Sequence, residues 1–263
     1  MTKGQARQRQ QFDIIDPDRA RALQAALGDT PSIKAGDVLP PFFHQIYFWD
    51  SQPRDSLGAD GHPAGSDLIP DLGLPRRMWA AGRVIFHTPL RAGSKAEKIT
   101  TAQALTRKTG RSGPLAFVTL KHEIKQRQSL ALTEYQDIVY RPVDAEAAMP
   151  PQAPVDEDDA FDVTFDSTLL FRYSGLTFNG HRIHYDEAYA RQVEGYDGLV
   201  VHGPLLAHYL MQLAQMKLGT LREFSYRATA PLMHHETATL CWKDGTAWVR
   251  GPGGRQCMSA IAR

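Results

Sequence analysis

The sequence predicts an α+β protein built from two halves of similar length. The segment RPVDAEAAMPPQAPVDEDDAFD, residues 141–162, interrupts the 263-residue chain near its middle. Short runs with strand composition, bounded by turn residues, lie on both sides of it. The second half also holds one long helical pattern, residues 203–218, that is apolar almost all round. Such a helix is expected to be buried inside or against an antiparallel sheet.

Composition narrows the functional classes. Thirty Lys and Arg against 29 Asp and Glu leave a net charge of +1, which disfavours general attraction to nucleic acid or anionic membranes. A hydrophobic content of 42 % fits a folded globular protein. The first residues, MTKGQARQRQQFD, lack the apolar core of a secretory signal. We therefore expect a cytoplasmic protein in which Cys241 and Cys257 are reduced and act as small buried hydrophobes.

The Pro-rich break defines the expected domains. Its prolines forbid a continuous helix or central strand, and its acidic run, residues 156–159, adds charge repulsion. A solvated linker is favoured over a binding tail. We expect an N-terminal domain at 1–145, a linker at 146–158 and a C-terminal domain at 159–263.

The N-terminal half opens with a helix signal. Asp16-Pro17 provides an N-cap followed by proline, and Gly28 is the expected C-cap. The aromatic run at 42–50 is interpreted as core packing, and residues 49–75 are rich in turn residues. Strands are predicted at 82–87, 96–107, 115–124 and 130–140.

The C-terminal half repeats this order. We predict a strand at 163–171, a short helix at 186–194 and the long helix at 203–218, which stops at Gly219. Asp244-Gly245 is a hairpin signal. Strands are predicted at 223–230, 236–242, 246–250 and 256–261.

The densest polar cluster, FRYSGLTFNGHRIHYDEAYA, covers residues 171–190 between a predicted strand and a helix. It contains Asn179, His181, Arg182 and His184, which fit catalysis but also a turn with solvent-facing histidines. A metal site through His181 and His184 is a third possibility. No metal is expected, because the segment lacks zinc-like spacing and nearby cysteine ligands.

A second segment, VVHGPL at 200–205, leads into the long helix. Free N–H groups at a helix N-terminus carry partial positive charge and can hold a developing oxyanion. Gly203 has no side chain to block a ligand carbonyl, and Pro204 pre-sets the first turn. This start predicts a site for a polarised carbonyl group.

Together LTFNGHRIHYD and VVHGPL resemble the hydratase motif and helix entry of MaoC-like, R-specific enoyl-thioester hydratases. The family pattern reads Ser-Gly-Asp-x-Asn-Pro-(Ile/Leu)-His; aligned on His184, its Asp falls at Asn179, its Asn at His181 and its Pro at Arg182. This variant is typical of the branch with mitochondrial type 2 hydroxyacyl-thioester dehydratases and bacterial mesaconyl-C4-CoA and itaconyl-CoA hydratases. RRMWAAGRVIFHTPLRAG, residues 76–93, resembles the same branch. The resemblance implies a double hotdog: two tandem antiparallel sheets, each wrapped around a central helix.

The resemblance also implies the chemistry. Water adds across the double bond of an enoyl thioester, or leaves in reverse, with the N–H of Gly203 polarising the thioester carbonyl. Asn179 cannot accept a proton, so proton transfer is concentrated on His184 while Asn179 orients the water. No cofactor is expected, because CoA is part of the substrate.

The expected substrate is a short carboxylated acyl-CoA, itaconyl-CoA or mesaconyl-C4-CoA, with citramalyl-CoA as the product. Its carboxylate requires a cation, for which Arg182 is favoured. The other expected substrate contacts are His181, Arg83, Arg172 and His202.

Three alternatives stay open: a 3-hydroxyacyl-thioester dehydratase of fatty-acid synthesis, a thioesterase, which would release free CoA, and a non-catalytic acyl-CoA-binding protein. The expected partner is a small-molecule acyl-CoA thioester, with no nucleic acid and no membrane. A homodimer is an option that the sequence leaves open.

Overall fold

The computed structural model describes residues 7–110, 113–142 and 149–263. Its helices are α1 (Pro17–Leu27), α2 (Ser167–Thr177), α3 (Glu187–Gln192) and α4 (Gly203–Leu218). Its strands are β1 (Gln8–Ile14), β2 (Arg76–Phe86), β3 (Lys95–Gly110), β4 (Gly113–Gln126), β5 (Ser129–Arg141), β6 (Asp159–Thr164), β7 (Glu223–Ala228), β8 (Thr237–Lys243), β9 (Thr246–Arg250) and β10 (Gln256–Ala262).

The described strands form one antiparallel sheet in the order β1-β3-β4-β5-β2-β7-β10-β9-β8-β6. The first five in this order come from the N-terminal half and the last five from the C-terminal half. The halves join where β2 pairs with β7, with Gly82 opposite Tyr226. The predicted α+β class is confirmed.

Helix α4 crosses the core of the C-terminal half. Leu205, Ala207, Leu210 and Ala214 have no exposed surface, and the helix contacts β7 to β10. It begins at Gly203 and ends at the cap Gly219, as predicted. At about 1.5 Å per residue, its 16 residues span about 24 Å.

In the N-terminal half, α1 has 11 residues and lies between the Asp16 and Gly28 caps. The aromatic run packs as expected: Phe42, Phe43, Tyr47 and Phe48 are all buried. They join the core that also contains β2, β5 and α4.

Two predicted features of the chain are corrected. The strand at 163–171 is wrong: β6 ends at Thr164, and α2 begins at Ser167 with the Asp166 side chain accepting the N–H of Leu169. This N-cap outweighs the β-like composition of the run. Strand β1, which pairs with β3, was missed because its alternation is carried mainly by polar residues.

The segment between the halves is not the solvated linker that the sequence predicts, because residues 154–157 are held against β8 and β9. Glu157 pairs with Arg250, Lys243 pairs with Asp156, and the indole of Trp248 donates to the Pro154 carbonyl. Residues 143–148 of the break lie outside the described part, and the domain boundaries stay a prediction.

Cys241 and Cys257 are both buried and unpaired, as expected. Within the described residues, no helix is long and apolar enough to cross a membrane.

Candidate active site

The motif segment turns sharply between α2 and α3. Phe178 ends α2 with a φ of 53°, and the Asn179 side-chain oxygen accepts the N–H of His181 at 3.1 Å. A 3-10 turn over Arg182–His184 then buries the last histidine. The amide of Asn179 therefore shapes the turn that presents His181 and His184.

His184 is 7 % exposed, and its Nδ1 lies 2.7 Å from the carbonyl oxygen of Val200. Because that oxygen can only accept, Nδ1 carries the hydrogen and Nε2 keeps a free lone pair. Burial lowers the pKa of His184 to about 4, against the opposing hydrogen bond to Val200. At neutral pH the ring is thus an uncharged base.

His202 lies directly behind this ring. The two imidazoles stack with centroids 3.7 Å apart and planes 19° apart. His202 has no exposed surface, and its Nε2 is 2.8 Å from the hydroxyl of Ser174. Burial, with the neighbouring histidines, lowers its pKa well below the usual value. His202 therefore supports the ring of His184 as an uncharged platform, and it has no surface on which to contact a substrate.

Gly203 follows as the first residue of α4. The N–H groups of a first helical turn have no carbonyl four residues earlier within the helix. A methyl group on Gly203 would lie 3.9 Å from the carbonyl oxygen of Trp79 on β2, so the backbone here is open to a small group. The helix start next to His202 is thus suited to hold a carbonyl oxygen.

A loop from the N-terminal half docks onto the motif. The N–H of Arg182 donates to the Asp60 carbonyl at 2.9 Å. A methyl group on Gly61 would lie 2.0 Å from the carbonyl oxygen of Gly180, so only glycine allows this approach. The docking brings His62 to His181, with ring centroids 4.4 Å apart.

Asp60 and His62 were missed by sequence reasoning, which assigned this region only as turn-rich. Nδ1 of His62 lies 3.3 Å from the Asp60 carboxylate. Burial raises the pKa of Asp60, but hydrogen bonds from His62 outweigh it and bring the value to about 2. Burial and the neighbouring charges lower the pKa of His181 to about 2. An ionised carboxylate therefore faces two imidazoles.

The donor atoms of Asp60, His62 and His181 lie within 4.8 Å of one another, the one such group of three in the described part of the chain. Carboxylate and imidazole ligands suit zinc or another divalent transition metal. The direct Asp60–His62 hydrogen bond also satisfies these groups without an ion, and the expectation of no metal stays a prediction.

The structure changes the roles of the predicted arginines. Arg182 pairs with Asp186 at 2.7 Å, donates to the Ala59 carbonyl at 3.1 Å and lies 4.1 Å from the ring centre of Tyr189. Its donors are directed at the protein, so it secures the docked loop instead of facing a substrate carboxylate.

Arg83 and Arg172 point elsewhere. Arg83 alternates with the buried Gly82 and Val84, so it lies on the outer face of β2, over the ring of Tyr135. Arg172 is exposed on α2. Neither is placed beside His184.

Another arginine, Arg77, was not singled out from the sequence. It precedes Trp79 by two residues on β2, and the pairing with β5 is regular over this stretch. Since Trp79 packs against the core, both side chains lie on the inner face. The charge of Arg77 lowers the pKa of both His62 and His181, after burial as the main cause. No ion pair of Arg77 is found in the described residues, and its charge acts on both histidines.

Two surface grooves lie apart from these groups. One, of about 450 Å³, is lined by residues of β1 and the 48–49 segment, and the other, of about 380 Å³, by residues of 72–74 and the β3–β4 ends. The histidine cluster therefore belongs to neither groove.

The comparisons with known proteins match this geometry. The family model for hydroxyacyl-thioester dehydratase type 2 matches residues 42–234, which include both the docked loop and the motif. The chain belongs to this family. It is therefore an enzyme of the hydro-lyase class, and the resemblance found in the motif is confirmed.

Two relatives extend the match. The chain is 47 % identical over 254 residues to mesaconyl-C(4)-CoA hydratase of Chloroflexus aurantiacus, covering 92 % of this chain and 90 % of that protein. It is 25 % identical over 241 residues to the mitochondrial hydroxyacyl-thioester dehydratase type 2 of Schizosaccharomyces pombe, covering 80 % of each.

Solved structures confirm the fold. HtdX of Mycobacterium tuberculosis superposes with a TM-score of 0.68 at 16 % identity, covering 98 % of this chain and 99 % of that one. A MaoC-like dehydratase from Phytophthora capsici gives 0.70 at 12 % identity, covering 98 % and 95 %. A second M. tuberculosis protein, described as a double hotdog, gives 0.61 at 14 % identity over 100 % of this chain and 96 % of that one. The predicted double hotdog is confirmed, with two corrections. The described strands form one continuous sheet instead of two, and the central helix is α4 of the C-terminal half, whereas α1 of the N-terminal half packs mainly against α2.

Proposed function

We propose that this protein is a hydratase that adds water to a short, carboxylated enoyl-CoA, mesaconyl-C4-CoA or itaconyl-CoA, and forms citramalyl-CoA reversibly. The observation that carries the proposal is the imidazole of His184, which Val200 holds with Nε2 free. This ring stacks on His202, the residue directly before the start of α4 at Gly203. The 47 % identity to a mesaconyl-C4-CoA hydratase supports the substrate class.

Hydration requires a base for water, a group that stabilises the thioester oxygen, and a proton for the α-carbon. Water is deprotonated by Nε2 of His184 as its oxygen bonds to the β-carbon. The electron pair of the double bond moves toward the thioester oxygen, which the N–H of Gly203 stabilises. The α-carbon takes up a proton from the protein, and His184 gives back the proton that it took from water, so the net change is the addition of one water. In itaconyl-CoA the double bond is one carbon further from the thioester, so proton transfer must first move it.

The substrate carboxylate requires a nearby cation. In mesaconyl-C4-CoA this group is attached to the β-carbon, the atom that water attacks. Arg182 is already paired with Asp186, whereas Arg77 lies on the inner face with its charge acting on His181. We assign the carboxylate to Arg77, whose fork of donors matches two carboxylate oxygens.

Packing supports a short acyl group. Phe42, Phe43 and Phe48 occupy the inner face of the N-terminal half and are at most 5 % exposed. A long straight acyl chain that entered this part of the core would have to displace them, at a cost set by the loss of dense packing. The fatty-acid dehydratase alternative therefore receives less support.

A panel of CoA esters analysed by mass spectrometry tests the function. The wild-type protein is expected to interconvert mesaconyl-C4-CoA or itaconyl-CoA with citramalyl-CoA and to release no free CoA. His184→Ala should reduce kcat by about 10²–10⁴-fold with the fold intact. Full activity of this variant would exclude His184 as the base. Preference for straight-chain 3-hydroxyacyl esters would favour the dehydratase, and binding without turnover would favour the non-catalytic protein.

A further inference from the structure

The pair formed by Asp60 and His62 is not used by the mechanism above. Nδ1 of His62 faces one carboxylate oxygen at 3.3 Å, and the backbone N–H of His62 donates to the other at 3.0 Å. The His62 side chain is 15 % exposed and the Asp60 side chain is 27 % exposed, so solvent can reach both. This is a carboxylate-oriented imidazole beside the hydratase motif.

The position of the pair is fixed by contacts between the two halves. Arg182 donates from its backbone to Asp60 and from its guanidinium to Ala59. The Gly61–Gly180 approach holds the two backbones together. Within the loop, the N–H of Gly58 donates to the His62 carbonyl at 2.7 Å. Such support is what a reacting group requires, because small displacements cost rate.

The motif places no carboxylate on His184. Asn179 stands where the family pattern has Asp, and the hydrogen-bond partner of His184 is the uncharged Val200 carbonyl. Among the site histidines His62, His181, His184 and His202, His62 is the one with a carboxylate hydrogen bond in the described structure. A carboxylate orients an imidazole and stabilises its protonated form.

We propose that His62, oriented by Asp60, is a second acid–base residue of the hydration reaction, supplied by the N-terminal half. The inference rests on the proposed function. As the water oxygen bonds to the β-carbon, its proton passes to Nε2 of His184. The proton on Nε2 of His62 passes to the α-carbon, which receives the electron pair of the double bond. His62 is left neutral, with Nδ1–H on Asp60.

The cycle closes by return of the proton from His184 to His62. The ring of His181 is adjacent to both, with centroids 4.4 Å from His62 and 5.4 Å from His184. The net change is the addition of one water, and no redox partner is needed. Asp60 contacts His62 and not the substrate, so it is a positioning residue.

The hydrogen bond to Asp60 favours this role. Burial and the Arg77 cation lower the pKa of His62, and the hydrogen bond to the Asp60 carboxylate opposes that shift.

Steady-state kinetics with chemical rescue test the proposal in the full-length protein. His62→Ala is expected to reduce kcat on the carboxylated ester by about 10²–10⁴-fold, with KM nearly unchanged. Free imidazole should restore part of the activity. Asp60→Asn should reduce kcat less, again without a change in KM. His235→Ala is the matched control, since His235 is an exposed histidine 3.8 Å from Asp197, and it should retain full activity.

The results that would overturn the role of His62 differ from the result that would refute the proposed function. Activity of His62→Ala within about threefold of wild type, or a folded, inactive variant that imidazole does not restore, would overturn the role of His62. Bound stoichiometric metal with activity lost to a chelator would overturn it in favour of a metal site. If His62→Ala does not fold, His62→Gln replaces it, because its amide can still donate to Asp60. Failure of the wild-type protein on every CoA ester would instead refute the proposed function.

Discussion

The two halves of the sheet use their inner faces differently. The C-terminal half buries α4, a 16-residue helix that brings its N-terminus to His202 and His184. The N-terminal half covers its inner face mainly with the aromatic segment around Phe42 and Phe43, which supplies packing without a helix start. In the proposed mechanism, the start of α4 determines where the thioester is activated. The N-terminal half contributes His62, at the end of a loop, and Arg77, near the start of β2.

Phe43→Ala tests how much the aromatic segment around Phe42 and Phe43 contributes to stability. Phe43 is 1 % exposed and contacts the ring of His208 on α4 at 5.3 Å between centroids. Its removal should reduce the free energy of unfolding by about 3–5 kcal/mol, measured by urea denaturation. Phe165→Ala, in the C-terminal half and equally buried, is the matched control. A much smaller loss of unfolding free energy for Phe43→Ala than for Phe165→Ala would mean that the aromatic segment of the N-terminal half is loosely packed.

Gly203→Pro probes the helix start without removing a helical hydrogen bond. Proline lacks the N–H but is tolerated in a first helical turn, and His202 has an extended ψ of 129° that suits a following proline. We expect kcat to fall by about 10²–10³-fold, with little change in thermal stability. Unchanged turnover in this variant would show that the carbonyl is held elsewhere.

Arg77→Gln probes the strand end. The ratio of kcat/KM for mesaconyl-C4-CoA to that for crotonyl-CoA, which has no carboxylate, should fall by about 10- to 100-fold, because a charge-assisted bidentate contact is lost. Arg83→Gln changes the same residue type on the outer face of β2 and should leave the ratio unchanged. Equal losses on both esters would contradict carboxylate recognition by Arg77.

His208→Leu tests the contact between the halves. Both ring nitrogens of His208 are buried without a partner in the described structure, and burial, with a contribution from His44, lowers its pKa to about 3. Between about pH 6.5 and 3 the unfolded state binds the extra proton, so stability falls as pH falls. The variant should gain about 1–2 kcal/mol at pH 5 relative to wild type, and less at pH 7. An identical pH dependence of urea unfolding in both proteins would refute this.

Local signals predicted much of the fold. The bounds of α4 follow from Pro204 and Gly219, and the turn Asp244-Gly245 joins β8 to β9 as expected. By contrast, α2 was predicted as a strand because the residues after its Asp166 cap are apolar and aromatic. Local composition cannot distinguish a half-buried helix from a strand over so short a run.

The site was predictable only where it is contiguous in sequence. His184, Asn179 and Gly203 stand out in two short motifs. Arg182 was favoured as the carboxylate ligand because it lies inside the motif, but Asp186, four residues later, occupies it. Asp60, His62 and Arg77 reach the site through long-range docking, and no local pattern marks such contacts.

The contact of Gly61 with Gly180 links the proposed chemistry to the joining of the two halves. Where two main chains touch with no side chain between them, an inserted residue or a partly folded half would separate them. A protein shortened to the C-terminal half would keep Asn179, His184 and Gly203 but lack Asp60, His62 and Arg77. In the proposed mechanism, activity is therefore a property of the joined pair, present only once both halves have folded against each other.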